Sequence, residues 1–228
     1  MKPPASERGA GVSPRAASKQ QMEPRVIVEM RTYDYRPGTV PMALERIALG
    51  LDERTTLSPL AGLWQTETGR LHRIVHLWPF RDLADRDHVR GRFRELKNWP
   101  ARTGAWMVAA ENKILIPMPF NPPLTPRAAG PVYEICTDTY HSGQLGEIQA
   151  HWTKALEERP SPSFIGAWRT ELGPMNQWIH IWAFASLEQR AARRHEVVPL
   201  AGETEALSSL FATQDSVLCR PAAFSPLH

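Results

Sequence analysis

The second half of this chain repeats the first at an offset of about 104 residues. The longest match has no gaps and pairs GLWQTETGRLHRIVHLWPFRDLADR (62–86) with GAWRTELGPMNQWIHIWAFASLEQR (166–190). An upstream match has nearly the same spacing and joins Glu29/Glu134, Thr32/Thr137, Tyr35/Tyr140 and Gly38/Gly143. Two copies of one folding unit are therefore expected, and whatever fold one copy adopts also constrains the other.

Each copy has the pattern of a β-α-β-β-α-β unit, because the period of its apolar residues changes from two to 3.6 and back. In the first copy a strand is expected over 26–33, a helix capped by Thr39, a hairpin near 61–67 and 71–78, and a second helix capped by Asp82. In the second copy Ser186 and Gln189 form a capping box. This order predicts an α+β fold of two ferredoxin-like units.

Charge and proline content divide the chain into four parts. Residues 1–25 carry five basic and two acidic side chains, which accounts for the whole net charge of +3, so the remainder is neutral. We predict a disordered basic tail (1–25), unit 1 (26–120), a Pro-rich linker (121–131) and unit 2 (132–228). A neutral folded part argues against nucleic acid as a partner.

The sequence gives no sign of membrane insertion or export. It contains no run of roughly 18 apolar residues, and no apolar region follows the basic residues at its start. Cys136 and Cys219 fall on strands expected to be neighbours, and two reduced thiols are predicted. We expect a cytoplasmic protein rather than a mitochondrial one, because acidic residues interrupt the basic tail and it has no helical apolar stripe.

Strand alternation separates two faces in each predicted sheet. The apolar face, with Val28, Met30, Val75 and Leu77 in unit 1, is expected beneath the helices. The opposite face mixes aromatic and ionisable side chains and is expected to line a pocket between the two sheets. Its members in unit 1 are Glu29, Arg31, Tyr33, Ile74, His76 and Trp78, and those in unit 2 are Glu134, Cys136, Asp138, Trp178, His180 and Trp182.

These side chains allow chemical and structural interpretations. A His and a Glu on neighbouring strands of an apolar pocket form a plausible acid/base pair. Equally, the two histidines could be structural, and the two glutamates could form ion pairs with Arg31, Arg86 or Arg190. Trp64 and Trp168 are expected in the core. No H-x-H or H-x-x-E-H pair and no phosphate loop occurs, so neither a metal nor a cofactor is predicted.

In combination, four motifs resemble the NIPSNAP family over about residues 26–227. They are H-[LI]-W-x-F-x-x-L-x-x-R at 76–86 and 180–190, E-x-R-T-Y at 29–33, G-x-W-x-T-E-x-G at 62–69, and F-S-P-L at 224–227. The resemblance implies the dimeric α/β barrel superfamily, in which two four-stranded sheets face each other around an interior pocket. Unit 2 departs from the pattern, because Cys136 and Asp138 replace the Arg and Tyr of E-x-R-T-Y.

Two functions remain open at this point. In one, the barrel binds an apolar or aromatic, carbonyl-bearing metabolite and rearranges it by cofactor-free acid/base chemistry of the isomerase, cyclase or oxygenase type. Unit 1 then supplies the working groups: His76 and Glu29 as the catalytic pair, Arg31, Tyr33 and Trp78 as ligand-binding side chains, with Glu134, His180 and Trp182 completing the lining. In the other, the protein is a non-catalytic adaptor associated with vesicles or mitochondria, as the resemblance to animal members implies. The sequence leaves a homodimer open.

Overall fold

The computed structural model describes residues 26–197 and 209–228. The predicted tail at 1–25 lies outside this range. Unit 1 contains β1 (Ile27–Tyr35), α1 (Val40–Thr55), β2 (Gly62–Thr66), β3 (Arg73–Phe80), α2 (Leu83–Gly91), a 3-10 turn (Arg92–Glu95) and β4 (Met107–Pro117). Unit 2 contains β5 (Val132–Tyr140), α3 (Leu145–Glu158), β6 (Phe164–Leu172), β7 (Gln177–Phe184), α4 (Leu187–Val197) and β8 (Phe211–Pro221).

The eight strands close into one antiparallel barrel with the order β1-β3-β2-β8-β5-β7-β6-β4. Each unit contributes four adjacent strands, and the units join where β2 pairs with β8 and where β4 pairs with β6. The predicted α+β class and the pairing of two ferredoxin-like units are thus confirmed. Closure through both edges removes most of the unpaired strand edge that separate sheets would expose.

Local sequence signals explain where the helices begin. The Asp82 carboxylate accepts a hydrogen bond from the backbone N–H of Asp85 at 2.7 Å, as predicted. The Ser186 hydroxyl accepts one from the backbone N–H of Gln189 at 3.2 Å, also as predicted. Thr39 is the N-cap residue of α1, as predicted, but its side chain makes no capping hydrogen bond. Helix α1 begins at the next residue, and the Thr39 hydroxyl donates instead to the carbonyl oxygen of Arg36 at 2.7 Å.

The barrel interior is an apolar core built from both units. It contains Val28, Met30, Val75 and Leu77, together with Tyr133, Ile135, Ile179 and Ile181. The expectation that this face lies beneath the helices is therefore wrong, and so is the expectation of a pocket between the sheets. The physical reason is that a closed barrel shields its interior from water on every side, so the purely apolar face lies inside and the face carrying charges lies outside.

Trp64 and Trp168 fill the barrel as expected, and the glycines of the G-x-W motif make room for them. A Cβ on Gly62 would lie 2.2 Å from the Trp64 ring, and a Cβ on Gly166 would lie 2.6 Å from the Trp168 ring. In a strand, residues i and i+2 share a face, so each indole folds back over its glycine. The repeated G-x-W motif thus allows a tryptophan ring to pack against the backbone of its own strand.

The linker and the C-terminal F-S-P-L motif hold each other in place. Arg127 and Leu227 form a parallel bridge, and the Leu227 side chain is completely buried in the barrel core. Ser225 accepts a hydrogen bond from the Leu63 amide at 3.0 Å and donates one to the Leu227 carbonyl oxygen at 2.7 Å. The chain end therefore ties the linker to the first unit.

Two further expectations concern the cysteines and the membrane. Cys136 and Cys219 are both free thiols on neighbouring strands, but Cys219 lies in the barrel core and Cys136 faces the helices. Burial raises the pKa of the Cys219 thiol to about 12. Across the described ranges, none of the helices has the length and apolar character needed to cross a membrane.

Candidate functional site

A cavity of about 250 Å³ lies on the outer side of the unit 1 sheet, between β1, β3, helix α1 and the segment 99–104 that leads into β4. All five predicted site residues of unit 1 line it. Its lining consists of Glu29, Arg31, Tyr33, Ile47, Arg54, His76, Trp78, Arg90, Phe93, Trp99, Pro100, Ala101, Arg102, Thr103, Gly104 and Met107. The grouping of the predicted residues was correct, but the pocket is under the helices of one unit and not inside the barrel.

Glu29 is a buried carboxylate held by arginines from two directions. Its Oε1 accepts from Arg86 at 2.7 Å and from Arg31 at 3.3 Å, and Arg90 lies 3.6 Å away. Arg86 and Arg90 belong to α2, so the ion pairs fasten that helix to the sheet. This arrangement agrees with the structural interpretation of Glu29, in which the carboxylate forms ion pairs with Arg31 and Arg86.

His76 is buried, and among the described residues only one of its two ring nitrogens has a hydrogen-bond partner. The Trp78 indole N–H donates to Nδ1 at 2.6 Å, so the neutral ring carries its proton on Nε2. No protein group in the described ranges accepts that proton. Burial, and then the charges of Arg31 and Arg54, lower the pKa of His76 well below its ordinary value. His76 therefore presents an N–H donor to its surroundings.

Tyr33 completes the environment of His76. The two ring centroids are 5.1 Å apart, and the Tyr33 hydroxyl accepts from Nε of Arg31 at 2.6 Å. Arg31 thereby connects Tyr33 to Glu29. The three side chains predicted to act around His76 are thus linked by hydrogen bonds along β1.

No sequence motif indicated Arg54, which is almost completely buried at the end of α1. The guanidinium carbon lies 3.9 Å from the Trp78 ring centroid and 4.8 Å from that of Phe93. Burial lowers the pKa of Arg54 to about 10, although Glu29 opposes the shift. A signal did exist: Arg54 follows Ile47 by seven residues and so continues the buried stripe of the helix.

The same positions in unit 2 are arranged differently. Glu134 is held by Arg190, with an Nε to Oε2 distance of 2.9 Å, and the Trp182 indole donates to Nδ1 of His180 at 2.7 Å. However, Nε2 of His180 lies 3.2 Å from a carboxylate oxygen of Asp138, the residue that replaces Tyr33. Glu134, His180 and Trp182 belong to unit 2, whereas the cavity lies in unit 1. The prediction that these three residues line one pocket together with the unit 1 residues is therefore wrong.

Trp152 covers His180 in unit 2. The two ring centroids are 4.8 Å apart, and Trp152 corresponds to Ile47 at the offset that relates Glu134 to Glu29. A large indole thus packs where unit 1 has a smaller side chain and an open cavity.

The electrostatic environment of His180 also differs from that of His76. Burial lowers the pKa of His180, but Cys136 and Asp138 raise it by more, so that it lies above the ordinary value. The hydrogen bond from the Trp182 N–H opposes protonation of His180 at Nδ1, because it occupies the lone pair of that nitrogen. With Nε2 facing Asp138, His180 offers no free donor. Within 26–197 and 209–228, no group of three or more His, Cys, Asp or Glu side chains could hold a metal ion.

Two ferredoxin-like units closed into one eight-stranded barrel define a protein of the dimeric α/β barrel type, with the dimer built within a single chain. A solved protein from Lactobacillus acidophilus, provisionally named a monooxygenase, shares this fold with a TM-score of 0.67 over 86% of this chain and 94% of its own, at 10% identity. A mutant chlorite dismutase from Candidatus Nitrospira defluvii reaches 0.58 over 88% and 92%, at 9% identity. These likenesses concern the fold.

The sequence profile of the NIPSNAP family matches residues 28–122 and again residues 133–226. The chain belongs to the NIPSNAP family. It is 27% identical to the human protein NipSnap homolog 3B, over 95% of this chain and 93% of that protein. It is 30% identical to the mouse NipSnap homolog 3B over 87% and 85%. The resemblance inferred from the motifs is confirmed.

Proposed function

We propose that this protein binds a small aromatic or apolar molecule carrying a carbonyl oxygen, and that the molecule occupies the unit 1 cavity. The observation that carries this proposal is that the His76 side chain lines the cavity while its Nε2–H group has no acceptor among the described protein groups. A buried donor left unsatisfied costs about 1–3 kcal/mol, and a ligand oxygen would remove that cost.

The walls of the cavity suit a flat apolar body. Tyr33, Trp78, Phe93 and Trp99 contribute aromatic rings, and Ile47 and Met107 contribute aliphatic surface. Sites for drug-sized ligands usually measure about 300–1,000 Å³, so a cavity of about 250 Å³ suits a molecule of one or two rings. Aromatic side chains bind such rings through stacked or edge-on contacts.

The hydrogen bonds favour polarisation of a carbonyl group over proton abstraction. Nδ1 of His76 accepts from Trp78, so this ring can donate from Nε2 but has no free lone pair with which to act as a base. Glu29 is engaged with arginines and holds α2 in place. In the proposed site His76 is the donor to the ligand oxygen, and Arg31 and Tyr33 are the neighbouring polar groups.

A non-catalytic adaptor is the second candidate, and one observation favours it. Strand β4 pairs with β1 from Met107 onward but with β6 only from Ile114 onward. One edge of residues 107–113 is therefore unpaired within the described ranges. Such an edge can accept a strand from a partner or from a second copy of the chain. This candidate predicts that filling the unit 1 cavity leaves partner binding unchanged.

The test compares two naphthalenes of similar shape by quenching of tryptophan fluorescence. We expect 2-acetylnaphthalene to bind saturably, and 2-ethylnaphthalene to bind about 10-fold or more weakly because it lacks the oxygen. Ile47→Trp, which introduces the side chain that unit 2 carries at this position, should abolish binding of both. Thermal unfolding of each variant establishes that the folded fractions are equal.

The matched pair His76→Ala and His180→Ala tests the asymmetry between the units. The His76 variant should lose about 10-fold or more in affinity for the ketone, and the His180 variant should retain it. If turnover of a ligand is found, His76→Ala should reduce the rate by about 100-fold or more. Equal losses in both variants, or ketone binding that survives Ile47→Trp, would contradict the proposal.

A further inference from the structure

Arg54 is a buried cation that forms no ion pair in the part of the chain that the structure describes. Among the described residues, its Nη1 donates to the Ser58 carbonyl oxygen at 3.2 Å and its Nε finds no acceptor. The side chain is 2% exposed. With a pKa of about 10 the guanidinium stays charged at neutral pH. Buried charges in proteins are normally paired, so this one is exceptional.

The wall that contains Arg54 carries an excess of positive charge. Arg31, Arg54, Arg90 and Arg102 line the cavity, and Glu29 is the one acidic side chain in the lining. Arg31 and Arg90 already lie near Glu29, at 3.3 Å and 3.6 Å. Arg102 is exposed, so the excess charge that is shielded from water is that of Arg54. An uncharged ligand would leave it uncompensated.

Arg54 and His76 are connected through Trp78. The Arg54 guanidinium packs on the Trp78 ring at 3.9 Å, and the same indole donates to Nδ1 of His76. Both side chains thus line the cavity and contact the same indole. Each also carries an N–H donor, Nε of Arg54 and Nε2 of His76, that has no acceptor among the described protein groups. A guanidinium N–H and a neutral imidazole N–H together match the oxygens of a carboxylate.

The geometry points to an organic carboxylate as the ligand class of this site: an aromatic or apolar acid whose carboxylate binds between Arg54 and His76 while its rings contact Tyr33, Trp99 and Phe93. The inference rests on the proposed function and narrows it from any carbonyl oxygen to an anionic one. Arg54, which the motifs do not point to, becomes the residue that determines specificity.

The experiment uses the full chain and three probes: 2-naphthoate, its uncharged analogue 2-naphthamide, and inorganic phosphate. Isothermal titration should give one site for the acid, binding of the amide about 10-fold or more weaker, and no binding of phosphate at millimolar concentration. The amide keeps the rings and a carbonyl oxygen, so the comparison isolates the charge. Phosphate tests whether the site accepts any anion.

Arg54→Met is the decisive variant, since methionine keeps an unbranched apolar stem against Trp78. We expect it to bind acid and amide equally weakly. We also expect it to unfold at the same temperature as the parent or above it, because an unpaired buried charge has been removed. Arg54→Lys should restore part of the preference for the acid. Arg94→Met, on the exposed 3-10 turn, is the matched control and should behave as the parent.

The outcomes distinguish this inference from the proposed function. If acid and amide bind equally to the parent and both are lost in Ile47→Trp, the cavity binds small molecules and the carboxylate inference is wrong. Failure of the acid to bind at about 1 mM, an affinity of only about −4 kcal/mol, would overturn the inference outright. Equally tight phosphate binding would show a general anion site and would overturn it as well. Binding of the ketone 2-acetylnaphthalene remains the separate test of the proposed function.

Discussion

The indole nitrogen of Trp78 lies 2.6 Å from Nδ1 of His76, and the indole nitrogen of Trp182 lies 2.7 Å from Nδ1 of His180. The H-[LI]-W motif therefore encodes a fixed tautomer, because each histidine must accept at Nδ1 and carry its proton on Nε2. The units differ in what faces that proton. In unit 2 it faces Asp138, whereas in unit 1 it has no acceptor among the described protein groups, although the His76 side chain lines the cavity.

The tautomer can be observed directly. Nitrogen-15 NMR of the parent protein should show His76 as the neutral Nε2–H form throughout the range from pH 6 to pH 8. Trp78→Phe removes the donor, so Nδ1–H should become populated, and the unfolding free energy should fall by about 1–3 kcal/mol. Trp182→Phe is the matched control and should leave the His76 signals unchanged. A protonated Nδ1 on His76 in the parent would contradict the assignment.

His76 should make the protein less stable in acid. Its folded-state pKa is lowered by burial and by the charges of Arg31 and Arg54, so the unfolded chain binds more protons than the folded one. Stability from this group is complete above the unfolded pKa of about 6.5 and decreases as the pH falls below it, by up to about 1.4 kcal/mol per pH unit.

Urea unfolding at several values between pH 8 and pH 5 measures this effect. The difference between the parent and His76→Gln should narrow as the pH falls, because the variant has no such proton to bind. Gly146→Ala removes no titratable group, so its difference from the parent should not change with pH. A difference between parent and His76→Gln that does not change with pH would refute the prediction.

The Glu29 ion pairs should be far more important for stability than surface pairs. Glu29→Gln leaves Arg31, Arg86 and Arg90 without their buried carboxylate, and we expect a loss of about 3–5 kcal/mol in unfolding free energy. Glu171→Gln removes half of an exposed pair with Arg169 and should cost less than about 1 kcal/mol. Chemical denaturation compares the two variants. Losses of similar size would mean that burial does not strengthen the Glu29 cluster.

Glycine at position 62 should be required by the Trp64 ring. A Cβ at this position would lie 2.2 Å from the ring, so Gly62→Ala must shift the indole within a packed barrel, at a cost of about 1–3 kcal/mol. Gly166→Ala should behave similarly because Trp168 is arranged in the same way. Gly146→Ala in α3 meets no atom within 4 Å and should be neutral or stabilising. Thermal unfolding of the three variants measures these losses in stability. A loss for Gly146→Ala as large as that for Gly62→Ala would contradict the prediction.

Much of the architecture could be predicted because it depends on local signals. The change of apolar period and the Asp82 cap act within one unit, and the internal repeat extends the same pattern to the other. Together these signals predict two ferredoxin-like units. The ion pairs of Glu29 with Arg86 and of Glu134 with Arg190 were among the open interpretations, and the structure contains both. The core positions of Trp64 and Trp168 were predicted from their alternation with small glycines.

The sequence by itself therefore determined the two units, their strands and helices, and which side chains share a face. Only the tertiary structure decided which face is the inner one. Alternation separates Glu29 from Val28 but says nothing about what covers either, and the choice follows from closure of the barrel across β2–β8 and β4–β6. Closure shields the interior from solvent and favours apolar side chains there, so His76 lies under the helices, beside the Arg54 that the motifs did not indicate.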